Sequence, residues 1–456
     1  MRVPRIMLAA PASGSGKTLI TCGILQALVN RGFNVASFKC GPDYIDPMFH
    51  SRVIGVKSGN LDTFFTDRET TRFLFGRRAA EAEVSVVEGV MGYYDGLGGI
   101  SEKASSSDVA ETLDMPVVLV VNCRGMSISV VPLIKGFLEY QKPSHIRGVI
   151  LNQMPKALYP DMKEQIERWL PVKVLGYVSK AEDLVLESRH LGLVLPGEIE
   201  RLKEKLNQLA EVIEESIDLD AFLAMAWEAE DFTYETPEIP KLSGTEKVRI
   251  GVAEDEAFCF TYRDNLQLLK DMGAELTSFS PIRDKSLPEG LHGLLLSGGY
   301  PELHAKELSE NASMRRSVRE AIEKGLPCIA ECGGFLYLHR TLEGADGVEY
   351  PMADVVKARA YRTDRLFRFG YIEMEAKRDQ LILKEGEKAR GHEFHYWESE
   401  NCGDAIHAKK PLRKRSWDCV HGTDTLYAGF PHLFFYSNPA VVWNFLQKCE
   451  EYQCLQ

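Results

Sequence analysis

The sequence has no apolar run long enough to span a membrane, no Cys-x-x-Cys pair and no excess of positive charge. Its 66 acidic residues outnumber 54 lysines and arginines, which gives a net charge of −12. Because a polyanion gains little from meeting another, we do not expect general binding to nucleic acid or anionic membranes. The ten cysteines are scattered and indicate neither a zinc ribbon nor a dithiol redox pair. We therefore expect a cytoplasmic protein with free cysteines and no signal peptide.

A glycine-rich segment, APASGSGKT at residues 10–18, joins an apolar run to a helical pattern. A strand that leads through such a turn into a helix directs several backbone N–H groups at one point, which predicts phosphate binding. Lys17 would neutralise the outer phosphates, and the Thr18 hydroxyl would bind Mg²⁺. Pro11 stands where the full Walker pattern has glycine. The residues predicted to bind ATP in this segment are Ser13, Gly14, Ser15, Gly16, Lys17 and Thr18.

The chain of 456 residues is too long for one ordinary core, which predicts two domains. In both halves, apolar runs of strand length alternate with helical stretches. This pattern is typical of a doubly wound α/β fold with a parallel sheet, whose ligands bind at the carboxyl ends of the strands. We expect one α/β domain over residues 1–195, a helical segment and linker over 196–245, and a second α/β domain over 246–456.

Four polar residues after predicted strands are candidates for the nucleotide site. Glu88 ends an apolar run where a Walker B acid would lie. Asp43 and Asp46 would reach Mg²⁺ only if their turn folds over the phosphates, and a plain turn with the neighbouring prolines is an equal alternative. Asn152 closes another strand, where its amide would either read a nucleotide base or cap the chain. Both alternatives stay open for these last residues.

The second half contains a predicted strand, turn and helix with Cys332 on the turn. Such an elbow exposes the sulfur, and the helix N-terminus that follows would favour its thiolate. The backbone N–H of Gly333 would then donate to an oxyanion. A second strand that runs into a double glycine would supply another donor, Gly299. The alternative is that Cys332 is a small buried residue, the usual position of a free cysteine.

A nucleophilic cysteine needs a base, and His432 is the best candidate among the eleven histidines. Spacing alone does not select it over His392 or His395. The segment GHEFHY at 391–396 resembles a metal motif, but its histidines are three apart in an extended stretch and would point to opposite faces. We therefore do not expect a zinc site there.

Seven segments in order resemble the cobyrinic acid a,c-diamide synthase family of glutamine-dependent amidotransferases. The resemblance covers essentially all 456 residues. The segments are PASGSGKT (11–18), GPDYIDP (41–47), EGVMG followed by Asp95-Gly (88–96), DEAFCF (255–260), SGGYPE (297–302), AECGG (330–334) and GHEFHY (391–396).

This resemblance implies an N-terminal ATP-binding amidoligase domain similar to dethiobiotin synthetase and a C-terminal glutaminase domain of the class I, triad type. Phe434 departs from the pattern, because it stands where triad glutaminases place an orienting glutamate. A Cys–His dyad is therefore expected, and the group that orients the histidine stays open. The implied roles are Cys332 as nucleophile, His432 as base, Asp43, Asp46 and Glu88 for Mg²⁺, and Tyr44, Ile45 and Asp95 near the corrinoid.

The activity implied is the amidation of the a and c acetate carboxylates of cobyrinate, with ATP and glutamine and through acyl phosphates, in cobalamin biosynthesis. One alternative is the same chemistry on nickel-sirohydrochlorin or hydrogenobyrinate. Another is a nucleotide-switch ATPase that binds a protein partner, which would give no use to Cys332 and His432. We expect neither a nucleic-acid nor a membrane partner, and a homodimer is one open alternative for the assembly.

Overall fold

The computed structural model describes residues 2–179, 196–244, 246–366 and 368–455, with the backbone only for 196–200. The chain forms two compact units, Met1–Pro237 and Glu238–Gln456. Within the described ranges, no helix combines the length and the apolar character needed to cross a bilayer.

The first unit is built on a parallel sheet. Its strands are β1 Arg5–Ala9, β2 Val35–Cys40, β3 Lys57–Leu61, β4 Val84–Glu88, β5 Val117–Asn122, β6 Ile146–Asn152 and β7 Lys173–Val178. They lie in the order β3-β2-β4-β1-β5-β6-β7, and each neighbouring pair is parallel. The loops that follow β1, β2 and β4 therefore meet at the same edge of the sheet.

Helices cover both faces of this sheet, as a parallel sheet requires. Along β1, Ile6 and Leu8 contribute to one hydrophobic core, whereas Met7 and Ala9 contribute to the other. This division follows from the alternation of side chains along a strand. The helices described in this unit are α1 Lys17–Asn30, α2 Ile45–Phe49, α3 Arg68–Ala79, α4 Ser106–Thr112, α5 Val130–Tyr140, α6 Tyr159–Trp169, α7 Pro196–Ser216 and α8 Leu219–Trp227, with a π-helical turn at His50–Ile54.

After α8 the chain packs against the first unit through Phe232. The Phe232 ring is buried with two guanidinium groups over it, those of Arg5 and Arg72, at 4.9 and 4.3 Å from the ring centroid. Residues 233–244, all of them described, form neither helix nor strand. The segment that we expected to be a linker thus begins beside a buried aromatic anchor.

The second unit combines three sheets. Its strands are β8 Arg249–Ala253, β9 Glu275–Phe279, β10 Gly293–Leu296, β11 Cys328–Glu331, β12 His339–Glu343, β13 Glu349–Pro351, β14 Val356–Arg362, β15 Arg368–Ala376, β16 Lys388–His395, β17 Trp397–Ser399, β18 Ile406–Lys409, β19 Ser416–Cys419, β20 His421–Gly422, β21 Leu426–Gly429 and β22 His432–Leu433. Their orders are β20-β21-β11-β10-β8-β9, β13-β12-β14-β17 and β19-β18-β15-β16-β22.

In the six-stranded sheet every pair is parallel except β20 with β21. This sheet confirms the α/β fold predicted for the second half. The five-stranded sheet is antiparallel and includes β16 and β22, which carry the candidate histidines. The helices described here are α9 Arg263–Asp271, α10 Ala305–Glu310, α11 Ala312–Glu323, α12 Gly333–Tyr337 and α13 Pro439–Gln453.

Candidate functional sites

The glycine-rich turn at residues 10–16 connects β1 to α1, as predicted. Gly14 and Gly16 have positive φ angles of 76° and 91°, a conformation that glycine adopts without strain. A Cβ added at Gly16 would lie only 2.2 Å from Nδ2 of Asn152. The turn therefore requires glycine at Gly16 for both its conformation and its packing. The predicted ATP-binding residues of this turn and the helix start, Ser13, Gly14, Ser15, Gly16, Lys17 and Thr18, follow one another along it.

Asn152 ends β6 and supports the turn directly. Its Nδ2 donates a hydrogen bond to the Ser15 carbonyl oxygen at 2.8 Å, and its Oδ1 accepts one from the backbone N–H of Gln153 at 3.0 Å. The side chain is buried. This amide therefore supports the glycine-rich turn, while recognition of a nucleotide base by Asn152 stays a prediction.

Lys17 and Thr18 lie at the start of α1 and face the end of β4. The Lys17 ammonium donates to the carbonyl oxygen of Met91, and burial, together with the nearby Lys39 charge, lowers the pKa of Lys17 to about 8. The Thr18 hydroxyl donates to Oε1 of Glu88 at 2.6 Å. Burial raises the pKa of Glu88 to about 7 in spite of a cation beside it. The predicted Walker residues thus meet at one place.

That cation is Lys39, a residue that the sequence reasoning did not select. Its Nζ lies 2.6 Å from Oε1 of Glu88 and 2.6 Å from Oδ2 of Asp46, and all three side chains are buried. Burial alone would lower the pKa of Lys39, but the two carboxylates raise it further than burial lowers it. The available signal was a single lysine in the otherwise uncharged strand Val35–Cys40.

Asp43 makes a turn in this structure. Its Oδ1 accepts hydrogen bonds from the backbone N–H groups of Ile45 at 2.8 Å and Asp46 at 3.1 Å, at the start of α2. Burial, followed by the nearby charge of Asp46, raises the pKa of Asp43. Two roles were left open for Asp43, a plain turn and the binding of Mg²⁺. The structure shows the turn, and binding of Mg²⁺ stays a prediction.

A magnesium ion fits part of the predicted ligand set. Among the residues that the structure describes, no three His, Cys, Asp or Glu side chains are grouped to hold a metal. Magnesium, however, usually takes one or two carboxylates together with phosphates and water. Oε2 of Glu88 is buried and has no hydrogen-bond partner in the described part of the chain. With the adjacent Thr18 hydroxyl it provides the oxygen donors that Mg²⁺ prefers.

The residues predicted near the corrinoid lie on two loops that touch. Tyr44 is buried and Ile45 half-buried at the start of α2, after β2. Asp95 is exposed in the loop after β4, where its Oδ2 accepts from the Gly92 N–H at 2.8 Å. A Cβ at Gly41 would contact the Val90 side chain at 3.5 Å, so the two loops are neighbours. Their contact with a substrate stays a prediction.

In the second unit, Cys332 lies between β11 and α12 with a φ of 45°. Its backbone N–H donates to the Gly429 carbonyl oxygen at 2.8 Å. Positive φ in a residue other than glycine is uncommon and clusters at functional sites. Contrary to the expected thiolate, burial, followed by the charges of Glu302 and Glu393, raises the pKa of Cys332 well above its ordinary value. The backbone N–H of Gly333 favours the thiolate, but by less than these effects oppose it.

Contacts of three glycines connect the turn at Cys332 with the candidate base, His432. A Cβ added at Gly333 would lie 2.9 Å from the backbone nitrogen of Gly299, so the two predicted oxyanion donors are neighbours. A Cβ added at Gly298 would lie 2.4 Å from Cε1 of His432. The same double glycine therefore contacts the residue after Cys332 on one side and the His432 imidazole on the other.

His432 is buried, and its ring stacks on that of His392 at 4.9 Å between centroids and 17° between planes. Burial, followed by the charge of His395, lowers the pKa of His432 to about 3, so the imidazole is neutral at pH 7. A neutral imidazole can accept a proton. The His395 ring instead stacks on Phe430 at 3.9 Å. The contact with Gly298 distinguishes His432 from His392 and His395, which their spacing in the sequence did not.

Glu331, immediately before Cys332, was also missed by the sequence reasoning. Its Oε2 lies 3.8 Å from Nδ1 of His432, and its Oε1 accepts from the Leu433 N–H at 3.1 Å. Burial raises the pKa of Glu331 to about 8. Phe434 is buried, with its ring edge-on to Tyr262 at 5.1 Å. The signal for Glu331 was an acid at the end of an apolar strand, the same one that pointed to Glu88.

Two family models match separate parts of the chain. Residues 6–194 match the CobQ/CobB/MinD/ParA nucleotide binding domain, and residues 249–440 match the CobB/CobQ-like glutamine amidotransferase domain. The chain is 41% identical over 449 residues to the cobyrinate a,c-diamide synthase of Caldanaerobacter subterraneus subsp. tengcongensis, with 98% of each protein covered. It is 39% identical over 444 residues to the Listeria innocua protein of the same name, with 96% of this chain and 98% of that protein covered.

Solved structures resemble parts of the chain only weakly. PurLQS from Thermotoga maritima is 14% identical with a TM-score of 0.33, over 44% of this chain and 99% of that one. The MinD cell division protein of Aquifex aeolicus is 14% identical with a TM-score of 0.30, over 51% of this chain and 99% of that one. Both scores are too low to support any conclusion.

Proposed function

This chain belongs to the cobyrinate a,c-diamide synthase family, and we propose that it amidates the a and c acetate carboxylates of cobyrinate with ATP and glutamine. As a member of this family it is a glutamine-hydrolysing carbon–nitrogen ligase. The finer steps, the residues that perform them and the use of Mg²⁺ are proposals supported by the geometry of the two units.

The first unit would activate the carboxylate. A carboxylate does not react with ammonia because its leaving group would be hydroxide or oxide, so an oxygen of the substrate attacks the γ-phosphorus of ATP and ADP leaves. The product is an acyl phosphate, and ammonia then displaces phosphate to form the amide. The phosphate turn and the cationic Lys17 support this step, since phosphoryl transfer depends mainly on positioning and charge. Thr18 and Glu88 would hold Mg²⁺, which neutralises phosphate charge when bound.

The second unit would produce the ammonia. The raised pKa keeps Cys332 a thiol at rest, and neutral His432 takes its proton as the sulfur attacks the amide carbon of glutamine. The backbone N–H groups of Gly299 and Gly333 would stabilise the oxyanion. Ammonia leaves with the proton returned by His432, and water then hydrolyses the thioester to glutamate.

The observation that carries this proposal is the packing of the buried His432 imidazole against the glycine pair that borders the Cys332 elbow. The Cys332→Ala variant tests it. We expect loss of glutamine-dependent amidation with retention of ammonium-dependent amidation, measured by mass spectrometry of the corrinoid product. Cys328→Ala, at a buried cysteine of β11, the strand that precedes Cys332, is the matched control and should retain both activities.

Two results would contradict the proposal: glutamine-dependent amidation by Cys332→Ala, or loss of its ammonium-dependent reaction in a folded protein. Parallel assays with hydrogenobyrinate and nickel-sirohydrochlorin test the choice of tetrapyrrole. Faster amidation of either acid than of cobyrinate would overturn the substrate assignment while leaving the two half-reactions in place.

A further inference from the structure

The catalytic imidazole proposed above has no acid at the sequence position where triad glutaminases carry one. Phe434, two residues after His432, is buried against Tyr262. A histidine that acts as a base through one ring nitrogen needs a group that fixes the other, because that group selects the tautomer and stabilises the imidazolium. The local sequence around His432 does not supply this group.

A carboxylate reaches the imidazole from another strand. Glu331 ends β11 and is 5% exposed. Its Oε2 lies 3.8 Å from Nδ1 of His432, beyond hydrogen-bond length but within the range of an ion pair. Its Oε1 accepts from the N–H of Leu433 at 3.1 Å. One carboxylate therefore contacts both the histidine ring and the backbone of the residue beside it.

Among the described side chains, the His432 imidazole is the group close to Glu331 that could carry a positive charge. No lysine or arginine lies within ion-pair distance of Glu331 among the residues with described side chains. Charge on Glu331 affects Cys332 and Tyr427, neither of which can supply a cation. The charges of Glu302 and Glu393 also act on Cys332, the charge of His395 acts on His432, and the charge of His432 acts on His392. An imidazolium formed on His432 would therefore find its compensating charge on Glu331.

We propose that Glu331 is the positioning residue of His432. It supplies the carboxylate that is missing at Phe434, and it does so from β11, the strand that precedes the nucleophile. This inference rests on the proposed glutaminase roles of Cys332 and His432. With Nδ1–H directed at Glu331, Nε2 is left to accept the proton from the Cys332 sulfur. At rest Glu331 is ionised above its raised pKa of about 8. In that form the carboxylate stabilises the imidazolium until the proton passes to the departing ammonia, and Glu331 itself neither gains nor loses a proton.

Two substitutions separate this role from a structural one. Glu331→Gln keeps an oxygen that can accept from the Leu433 N–H but removes the charge, whereas Glu331→Ala removes both. At about pH 9, above the raised pKa of Glu331, we expect Glu331→Gln to lower kcat of glutamine hydrolysis about 100-fold, within the range for loss of proton-transfer support, with KM for glutamine unchanged. Glu331→Asp should be more active than Glu331→Gln. Ammonium-dependent amidation, which we assign to the first unit, should persist in each variant, and circular dichroism of the full chain should report on folding of the second unit.

A second-site change provides a rescue test. In the Glu331→Gln background, Phe434→Glu places a carboxylate two residues after His432. We expect kcat of this double variant to be at least tenfold higher than that of Glu331→Gln. If Glu331→Gln retains the wild-type kcat while Glu331→Ala loses activity, only the hydrogen bond to Leu433 matters and the inference is wrong. Glutamine hydrolysis that survives in Cys332→Ala or His432→Ala would instead contradict the proposed function itself.

Discussion

Replacement of Lys39 by methionine should destabilise the first unit strongly at pH 8. The Lys39 ammonium lies 2.6 Å from carboxylate oxygens of both Glu88 and Asp46, and all three side chains are buried. Removal of one partner from a buried ion pair typically costs about 3–5 kcal/mol, because the remaining charge is left without compensation. For a unit of this size, Met1–Pro237, such a loss corresponds to a decrease of roughly 6–20 °C in Tm.

The loss of stability caused by Lys39→Met should increase as the pH rises. Burial already raises the pKa of Glu88 from 4.5 to about 7 in the folded protein. Between these values the folded chain holds a proton that the unfolded chain has released, so this group lowers stability as pH rises through the window. Without Lys39 the pKa of Glu88 rises further. The deficit of Lys39→Met should therefore be larger at pH 8 than at pH 5, where Glu88 is protonated.

Thermal unfolding of the full chain, followed by circular dichroism at both pH values, measures this effect. Lys57→Met is a matched control, since Lys57 lies on the neighbouring strand and pairs with Glu81 at the exposed surface. Exposed ion pairs contribute little, so its Tm should change little. Equal Tm values for the two variants at pH 8, or a deficit that grows toward pH 5, would refute the reasoning.

Two glycine substitutions give further predictions, one for each unit. Gly16→Ala places a Cβ 2.2 Å from Nδ2 of Asn152 at a φ of 91°, so nucleotide titration should show much weaker binding of ATP. Gly32→Ala, with a φ of 86° and no neighbour within 4 Å, should leave ATP affinity unchanged, and equal weakening in both variants would contradict a role for the turn. Gly298→Ala places a Cβ 2.4 Å from Cε1 of His432, so glutamate release should fall while ammonium-dependent amidation persists. Unchanged glutamate release would count against the assigned base.

The parallel strands could be predicted because each is an apolar run of the right length. The apolar runs at residues 84–88 and 6–9 predict two strands, and the structure has them at Val84–Glu88 and Arg5–Ala9, so the second begins one residue earlier than its apolar run. The strand Lys57–Leu61 was missed, because KSGNL contains one large apolar residue and a glycine. It is a strand because β2 pairs with it along its whole length. Such pairing is a tertiary contact that no local pattern reveals.

Candidate site residues were found where the chemistry is local in sequence. Lys17, Thr18 and Glu88 follow from a turn and a strand end, and the structure brings them together. Lys39 was missed, because a lysine in a strand is ordinarily a surface residue and only the fold shows that two carboxylates surround it. The choice among three histidines likewise depended on contacts with Gly298, which lies far away in the sequence.

Glu88 and Glu331 have the same local pattern, an acid that ends a buried parallel strand, yet the fold gives them different partners. Glu88 meets a lysine from the adjacent strand and a threonine hydroxyl at the phosphate turn. Among the described residues, Glu331 contacts the His432 imidazole and the backbone N–H of Leu433. A carboxylate beside a permanent cation suits a site where phosphate and metal charges are balanced. An acid beside a neutral imidazole suits a site where positive charge exists only while a proton is in transit, which is the role that we propose for Glu331.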